Sequence, residues 1–373
     1  MQTTSVGGAP TGVLLLNMGG PWSLDDVRPF LLELFNDRDI IAFPGGPALQ
    51  KYWASMIARF RTPKVLRRYA AIGGGSPLLK WTLRQSELLA ARLNAAGRAG
   101  SAAPSHQAGA ADDPAGGRGP SRGGRFVTAV AMRYAPPRAA EALRELRREG
   151  YGRIVVLPLY PQECHATTGS SLADLDRTLA RINLRPPMII VRSFHDHPGY
   201  IEALARAVRD GHAAFPDAAR GEAVTLFSAH GVPQRLADAG DPYVDQVRAT
   251  VTAVVDELGT EIGEHRLSFQ SRTGPVRWVG PGTDEVLKEL GQTGRRSVLV
   301  VPISFVSDHI ETLHEIDIEF AELAREAGIV HFRRSPALND RPDFIAALAD
   351  IVLQAVNGAG THKPAAGGER MEA

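Results

Sequence analysis

Six stretches, TGVLLLNMGG, RFVTAVAMRY, GRIVVLPLY, PPMIIVRSF, EAVTLFSAHG and RSVLVVPISF, are apolar without alternation and end in glycine, proline or polar residues. A run with no polar partner at every second position is apolar on both faces of a pleated strand, so each predicts a strand buried on both sides. Between them, PRAAEALRELRREG and PGYIEALARAVRDGHAAF place apolar residues three and four apart, the spacing of an amphipathic helix. Buried strands separated by such helices predict parallel sheets in an α/β fold, arranged as two doubly wound units. The expected division runs 11–192 and 193–342, with a last helix over 343–357 returning to the first unit. Two segments break the pattern: 95–124 and 358–373 are rich in Ala, Gly, Pro and Ser, and are read as a disordered insertion and a free tail.

Composition narrows the function. A chain of 373 residues, 44% hydrophobic, can build two real cores. The net charge of +1, with no block of Lys and Arg, argues against a nucleic-acid partner. The single cysteine, Cys164, excludes an intramolecular disulfide and an all-cysteine metal site within one chain. No apolar run approaches the ~20 residues of a membrane span and the first residues do not resemble a signal peptide, so a cytoplasmic location is expected.

Open α/β sheets bind ligands beyond the carboxyl ends of their strands. The residues there are Asn17 to Gly20, Arg133 and Tyr134, Tyr160 to Gln162, Ser228 to Gly231, and Ser307 to Glu311. His230 in FSAHGVP could be a simple hydrogen-bonded strand end. Glu311, Glu315 and Glu319, at four-residue intervals in SFVSDHIETLHEIDIEF, could form a solvated acidic helix face. Glu311, however, stands in the first turn after a buried strand beside Asp308 and His309, where acceptors and donors of protons would meet a bound ligand. HIETLHE is not the HExxH pattern of zinc proteases, which leaves a transient divalent-metal site open. IGGGSP matches neither dinucleotide nor P-loop glycine patterns. Residues 40–68 mix aromatic and aliphatic residues with Lys51, Arg59, Arg61, Lys64, Arg67 and Arg68, which suits an interfacial helix or a core helix with a basic outer face.

Seven fragments, LLLNMGGPWSLDDVRPFLLELFNDRDII, IGGGSPLLKWT, AMRYAPP, LPLYPQECHATTGSS, FSAHGVPQRLADAGDPY, SFQSRTGPVRWVGPGTDEVLKEL and PISFVSDHIETLHEIDIEF, together resemble the ferrochelatase family in order and spacing. The resemblance implies two Rossmann-like domains, each a parallel sheet flanked by helices, with a porphyrin cleft between them. It implies insertion of Fe2+, a substrate, into a porphyrin, with release of two protons and no permanently bound cofactor. His230 matches the family's catalytic histidine and Glu311 the carboxylate facing it, both within reach of the metal. Asp308, His309 and Glu315 match neighbours implicated in proton or metal transit. Met18, Arg133, Tyr134 and Trp278 are the porphyrin-binding candidates. Arg133 and Tyr134 are the candidates for the propionates because Ala70 and Ala71 stand where many relatives carry arginines. Met18 stands where relatives that use coproporphyrin often carry tyrosine, which favours protoporphyrin IX over coproporphyrin III. Glu163 and Cys164 replace a commoner Tyr-Ser, His165 adds an imidazole, and the partners of a cluster cysteine are missing, so no iron–sulfur cluster is expected. Residues 40–68 become an apolar lip that can touch a membrane. A tetrapyrrole or metal carrier without turnover is the competing reading.

Overall fold

The computed structural model describes residues 9–41, 43–101, 125–274 and 276–358. Its strands are β1 (Thr11–Asn17), β2 (Phe126–Met132), β3 (Arg153–Pro158), β4 (Met188–Ile190), β5 (Val224–His230), β6 (His265–Gln270), β7 (Ser297–Pro302) and β8 (His331–Arg334). They form two four-stranded parallel sheets, ordered β2-β1-β3-β4 and β6-β5-β7-β8. All six apolar runs contain strands, but β4 in PPMIIVRSF is only three residues long and lies at the edge of the first sheet with Ile190 exposed, so it is not buried on both sides. The two strands outside that set, HRLSFQ and HFRR, carry charged residues among apolar ones and line the edges of the second sheet.

Each sheet is covered on both faces, which is why the central strands carry no polar alternation. All seven residues of β1 are buried, as are all six of β7. Helices Ala139–Glu149 and Ser170–Arg181 bury Leu143, Leu146, Leu172, Leu175 and Leu179 against the outer face of the first sheet. Helix Thr283–Gln292 and the segment 311–326 do the same for the second sheet, through Leu287, Leu290, Ile316 and Phe320. The inner faces share one continuous core that includes Val13, Leu15, Phe227, Val301 and Phe344. At about 1.5–3 kcal/mol for each fully buried large apolar side chain, this shared core ties the two halves together.

Helix Pro342–Gly358 packs on helix Leu78–Ser101 and on β3 and β4 of the first half, as well as on helix Pro198–Ala213. It therefore reaches the first half while also bridging to the second. Helix Leu78–Ser101 runs into the segment read as an insertion, so residues 95–101 are helical rather than disordered. Residues 102–124 and 359–373 lie outside the described residues.

The two halves repeat each other at the strand ends. Met132 N donates to Pro137 O at 2.7 Å in the first half, and Phe269 N donates to Pro281 O at 2.9 Å in the second. Asn17 pairs with Met132 and Ala229 with Phe269, which makes Met18 and His230 equivalent in NMGGP and AHGVP.

Candidate active site

β5 delivers His230 to the carboxyl edge of the second sheet. The strand is locked by Phe227, Ser228 and Ala229, all fully buried. Two hydroxyls fix the last residue: His230 N donates to Ser304 Oγ at 3.2 Å, and Tyr243 Oη donates to His230 O at 2.9 Å. Gly231 then lets the chain turn closely past β6, since a Cβ there would lie 2.6 Å from Gln270 O. Tyr243 and Ser304 carry no patterning signal, and only the structure identifies them as supports of the site.

Facing the imidazole, Glu311 opens a π-helix over Glu311–Phe320. Sequence spacing predicts an α-helix here, with the three glutamates on one side. The observed i→i+5 bonding is rare and concentrates at functional sites. It also brings His314 Nδ1 within 3.8 Å of Glu319 Oε1, five residues on. Glu319 is not a lone solvated charge, because Arg68 Nη2 of helix Gly46–Ala71 pairs with it at 2.6 Å.

Glu311 Oε2 lies 2.8 Å from His230 Nδ1 and 3.7 Å from His309 Nε2. Burial would raise the Glu311 pKa, but His230 and His309 hold it well below the usual carboxylate range. Burial would lower the His230 pKa, but Glu311, aided by Glu315, carries it above the ordinary imidazole value. The pair is therefore a carboxylate beside an imidazole with strengthened proton affinity. With Nδ1 turned to Glu311 and 38% of the side chain exposed, Nε2 is the nitrogen left to meet a ligand. His309 Nδ1 pairs with Ser307 O at 3.1 Å, which turns its Nε2 toward Glu311, and its ring lies 4.2 Å from that of Phe305.

Glu315, one step along, accepts from Ser271 N at 2.8 Å, from Ser271 Oγ, and from Gln270 Nε2 at 3.3 Å. Burial first, and then the neighbouring Glu311 charge, push its pKa up, and the Ser271 bonds only partly offset this. Ser271 holds a left-handed backbone, φ 63°, to make that contact. Glu315, Gln270, Ser271, Arg272 and Trp278 line a cleft of about 480 Å³. Trp278 stands beside Gly231, the residue after His230.

Across from this set, Met18 joins an apolar cluster with Phe30, Tyr69, Tyr134 and Ile310, the residue just before Glu311. Tyr69 lies near enough to Glu311 for that charge, after burial, to raise its phenol pKa. The first half therefore closes over the second at the carboxylate.

Three of the candidate residues are held by protein partners. Both oxygens of Asp308 are engaged: Arg334 Nη1 reaches its Oδ1 at 3.0 Å and Asn339 Nδ2 its Oδ2 at 2.8 Å, so it braces the segment. Arg133 and Tyr134 are turned inward. Arg133 Nη2 and Tyr134 Oη both donate to Asp37 Oδ2, at 2.7 and 2.6 Å, and Arg133 Nε donates to Ser170 Oγ at 2.9 Å. Their polar atoms anchor the turn that leads into helix Gly46–Ala71. Cys164 is buried, and burial followed by the neighbouring Asp241 pushes its thiol up to about 12.

Most of the 40–68 segment forms one helix, Gly46–Ala71, with Pro63 inside it. Gln50, Ala54 and Ala58 face inward, while Tyr52 and Phe60 are 62% and 76% exposed beside the exposed Lys51, Arg59, Arg61 and Lys64. Among the described residues no helix is long and apolar enough to cross a membrane.

The family model for ferrochelatase matches residues 10–114 and 116–356. A protein named ferrochelatase from Geotalea uraniireducens (strain Rf4) is 44% identical over 348 residues, covering 93% of this chain and 98% of that protein. Another so named, from Synechococcus sp. (strain JA-3-3Ab), is 46% identical over 349 residues, covering 92% of each. The solved structure of SirB from Bacillus subtilis with Fe3+ aligns with 94% of this chain and 98% of its own, at a TM-score of 0.49 and 13% identity.

Proposed function

The chain belongs to the ferrochelatase family, which inserts ferrous iron into a porphyrin, and we propose that His230 and Glu311 are the pair through which this chain does so. The observation that carries the assignment is the 2.8 Å contact between His230 Nδ1 and Glu311 Oε2.

Insertion exchanges two N–H protons of the ring for one Fe2+. His230 Nε2 accepts a ring proton, while Nδ1–H stays bonded to Glu311, whose negative charge stabilises the imidazolium so formed. Glu315, with its raised proton affinity and its position on the same π-helix, takes the next proton place toward solvent. The same imidazole and carboxylate offer nitrogen and oxygen ligands to an incoming divalent ion before the ring nitrogens replace them. Met18 and Ile310 supply apolar contact with the macrocycle, so most ring affinity is independent of the proton acceptors. A chain with one cysteine has too few thiolates to hold an iron–sulfur cluster, and none is assigned.

Protoporphyrin IX is the proposed ring. The apolar environment of Met18 and the inward commitment of Arg133 and Tyr134 suit a ring with fewer carboxylates. The exposed Tyr52 and Phe60, flanked by Lys51, Arg59, Arg61 and Lys64, support a peripheral contact with an anionic membrane. Anaerobic iron insertion with protoporphyrin IX and coproporphyrin III, each followed by absorbance, tests the reading. Metalloporphyrin formation with the larger kcat/KM on protoporphyrin IX is expected. Porphyrin binding without metallation would make the chain a carrier, and a several-fold preference for coproporphyrin III would reverse the substrate assignment.

A further inference from the structure

Arg334, the last residue of β8, is only 12% exposed at its side chain and divides its guanidinium between two carboxylates. Nε and Nη2 donate to the two oxygens of Asp317 at 2.8 and 2.9 Å, and Nη1 reaches Asp308 Oδ1 at 3.0 Å. Asp308 precedes Glu311 and Asp317 follows Glu315, so one planar group spans the whole segment that carries both glutamates.

The other side of Asp308 is equally held. Asn339 Nδ2 donates to Asp308 Oδ2 at 2.8 Å, and Asp308 N donates back to Asn339 Oδ1 at 2.9 Å. Asn339 keeps a left-handed backbone, φ 41°, and its carbonyl accepts from Gln85 Nε2 at 2.7 Å. Gln85 belongs to helix Leu78–Ser101 of the first half, so the brace reaches across both halves.

Burying a guanidinium is costly, and apolar packing would serve stability at least as well. What the ions add is direction, because a bidentate fork fixes both distance and angle. The π-helix needs such fixing. Its i→i+5 register is less favourable than the α-helical one, and relaxation would rotate Glu311 away from His230. We propose that Arg334 is a positioning residue for metal insertion, which ties Asp308 to Asp317 and so holds Glu311 against His230. This rests on reading His230 and Glu311 as the reacting pair.

The test is anaerobic iron insertion, with porphyrin binding followed by fluorescence quenching, for Arg334→Ala and Arg334→Lys and for Arg334→Ala combined with Glu311→Gln. Displacing a reacting group by about 1 Å can cost about 100-fold, so Arg334→Ala should lower kcat by about 10–100-fold while porphyrin affinity stays within about twofold. Lys lacks the fork and should restore little of it. In the Glu311→Gln background there is no carboxylate left to misplace, and Arg334→Ala should cost no more than about twofold further. An equal loss in both backgrounds, or a loss confined to porphyrin affinity, overturns the proposal. If Arg334→Ala does not fold, Asp317→Asn loosens the same tie at its more exposed end, and unchanged kcat there also overturns it. Normal turnover by Arg334→Ala beside an inactive Glu311→Gln sinks the positioning role alone. Normal turnover by Glu311→Gln sinks the reading of the pair and the positioning role with it.

Discussion

His230 Nδ1 and Glu311 Oε2 meet at 2.8 Å although they come from different elements, a strand end and the first turn of a π-helix. If the pair serves proton transfer rather than ring affinity, its removal should act on turnover. General acid–base groups contribute about 10²–10⁴-fold, so His230→Ala and Glu311→Gln should each lower kcat by at least about two orders of magnitude. Porphyrin affinity should change far less. Two groups acting as one unit lose function non-additively, so the double variant should be scarcely worse than the poorer single one. Glu319→Gln, which removes a partner of Arg68 but no contact with His230, should cost no more than about tenfold. Steady-state iron insertion by the four proteins decides the matter.

The pH profile carries the sign of the same pair. Glu311 raises the His230 pKa above the ordinary value against the opposing effect of burial, so the free enzyme holds a proton on His230 at low pH and gains a neutral acceptor only above that raised pKa. The acid limb of kcat/KM should therefore rise with an inflection above about 6.5. In Glu311→Gln the burial penalty remains while the main opposing charge is gone, so the inflection of the residual activity should move down. An inflection that stays in place would assign the acid limb to another group.

How far the sequence carries this site differs residue by residue. Five of the six pure apolar runs are strands buried along nearly their whole length, β4 at the sheet edge being the exception, and His230 follows from the end of one of them. β6 and β8 escape the pattern because edge strands tolerate residues such as His265, Arg266, Arg333 and Arg334. Asp308 reads as part of an acidic route because sequence gives its neighbours along the chain but not Arg334 and Asn339, more than twenty residues later. The π-helix is equally hidden, since four-residue spacing of glutamates fits an α-helix as well. The equivalence of NMGGP and AHGVP was present in the sequence, yet its meaning depends on the matching strand order of the two sheets.

Gly231 limits what can follow the histidine. A methyl group there would lie 2.6 Å from the Gln270 carbonyl and 3.4 Å from Trp278 Cε3, while Gly231 N must still donate to Gln270 O at 2.8 Å. The Arg272 side chain, with Cγ at 3.3 Å, can give way, but the Gln270 carbonyl is backbone and has to shift. Gly231→Ala should destabilise the protein by about 1–3 kcal/mol, in the range of other overpacking changes, and lower kcat by displacing His230. Thermal melting and iron insertion measured together check this, and an unchanged melting temperature would mean that β6 moves aside freely.

The lip makes a separate prediction. Tyr52 and Phe60 are large and exposed, and the cations around them favour a negatively charged surface. Sedimentation with vesicles of anionic phospholipid should carry the protein down at low salt, less so as salt screens the charges, and hardly at all with neutral lipid. Tyr52→Ser with Phe60→Ser should weaken that binding while iron insertion from detergent-dispersed porphyrin is preserved. Equal binding to neutral and anionic vesicles would remove the electrostatic part of the argument.

The segment after Ser101 should be dispensable, provided the cut respects the helix. Residues 102–124 are poor in large apolar side chains, and such a segment has little to offset the entropy of ordering it. Loop length itself costs little, because closure entropy grows only with the logarithm of length. The helix before it is tied to the sheet: Asn94 Nδ2 donates to Phe126 O at 2.9 Å, and Phe126 N donates to Asn94 Oδ1 at 2.9 Å, a reciprocal pair that sets β2 beside the helix. Replacing 102–124 with a short Gly/Ser linker should leave iron insertion within a few-fold and the melting temperature nearly unchanged. Extending the deletion back to 94 removes that pair and should lower the melting temperature measurably, since an intramolecular hydrogen bond contributes about 1 kcal/mol. Loss of soluble protein on the shorter deletion alone would show that the segment packs against the fold.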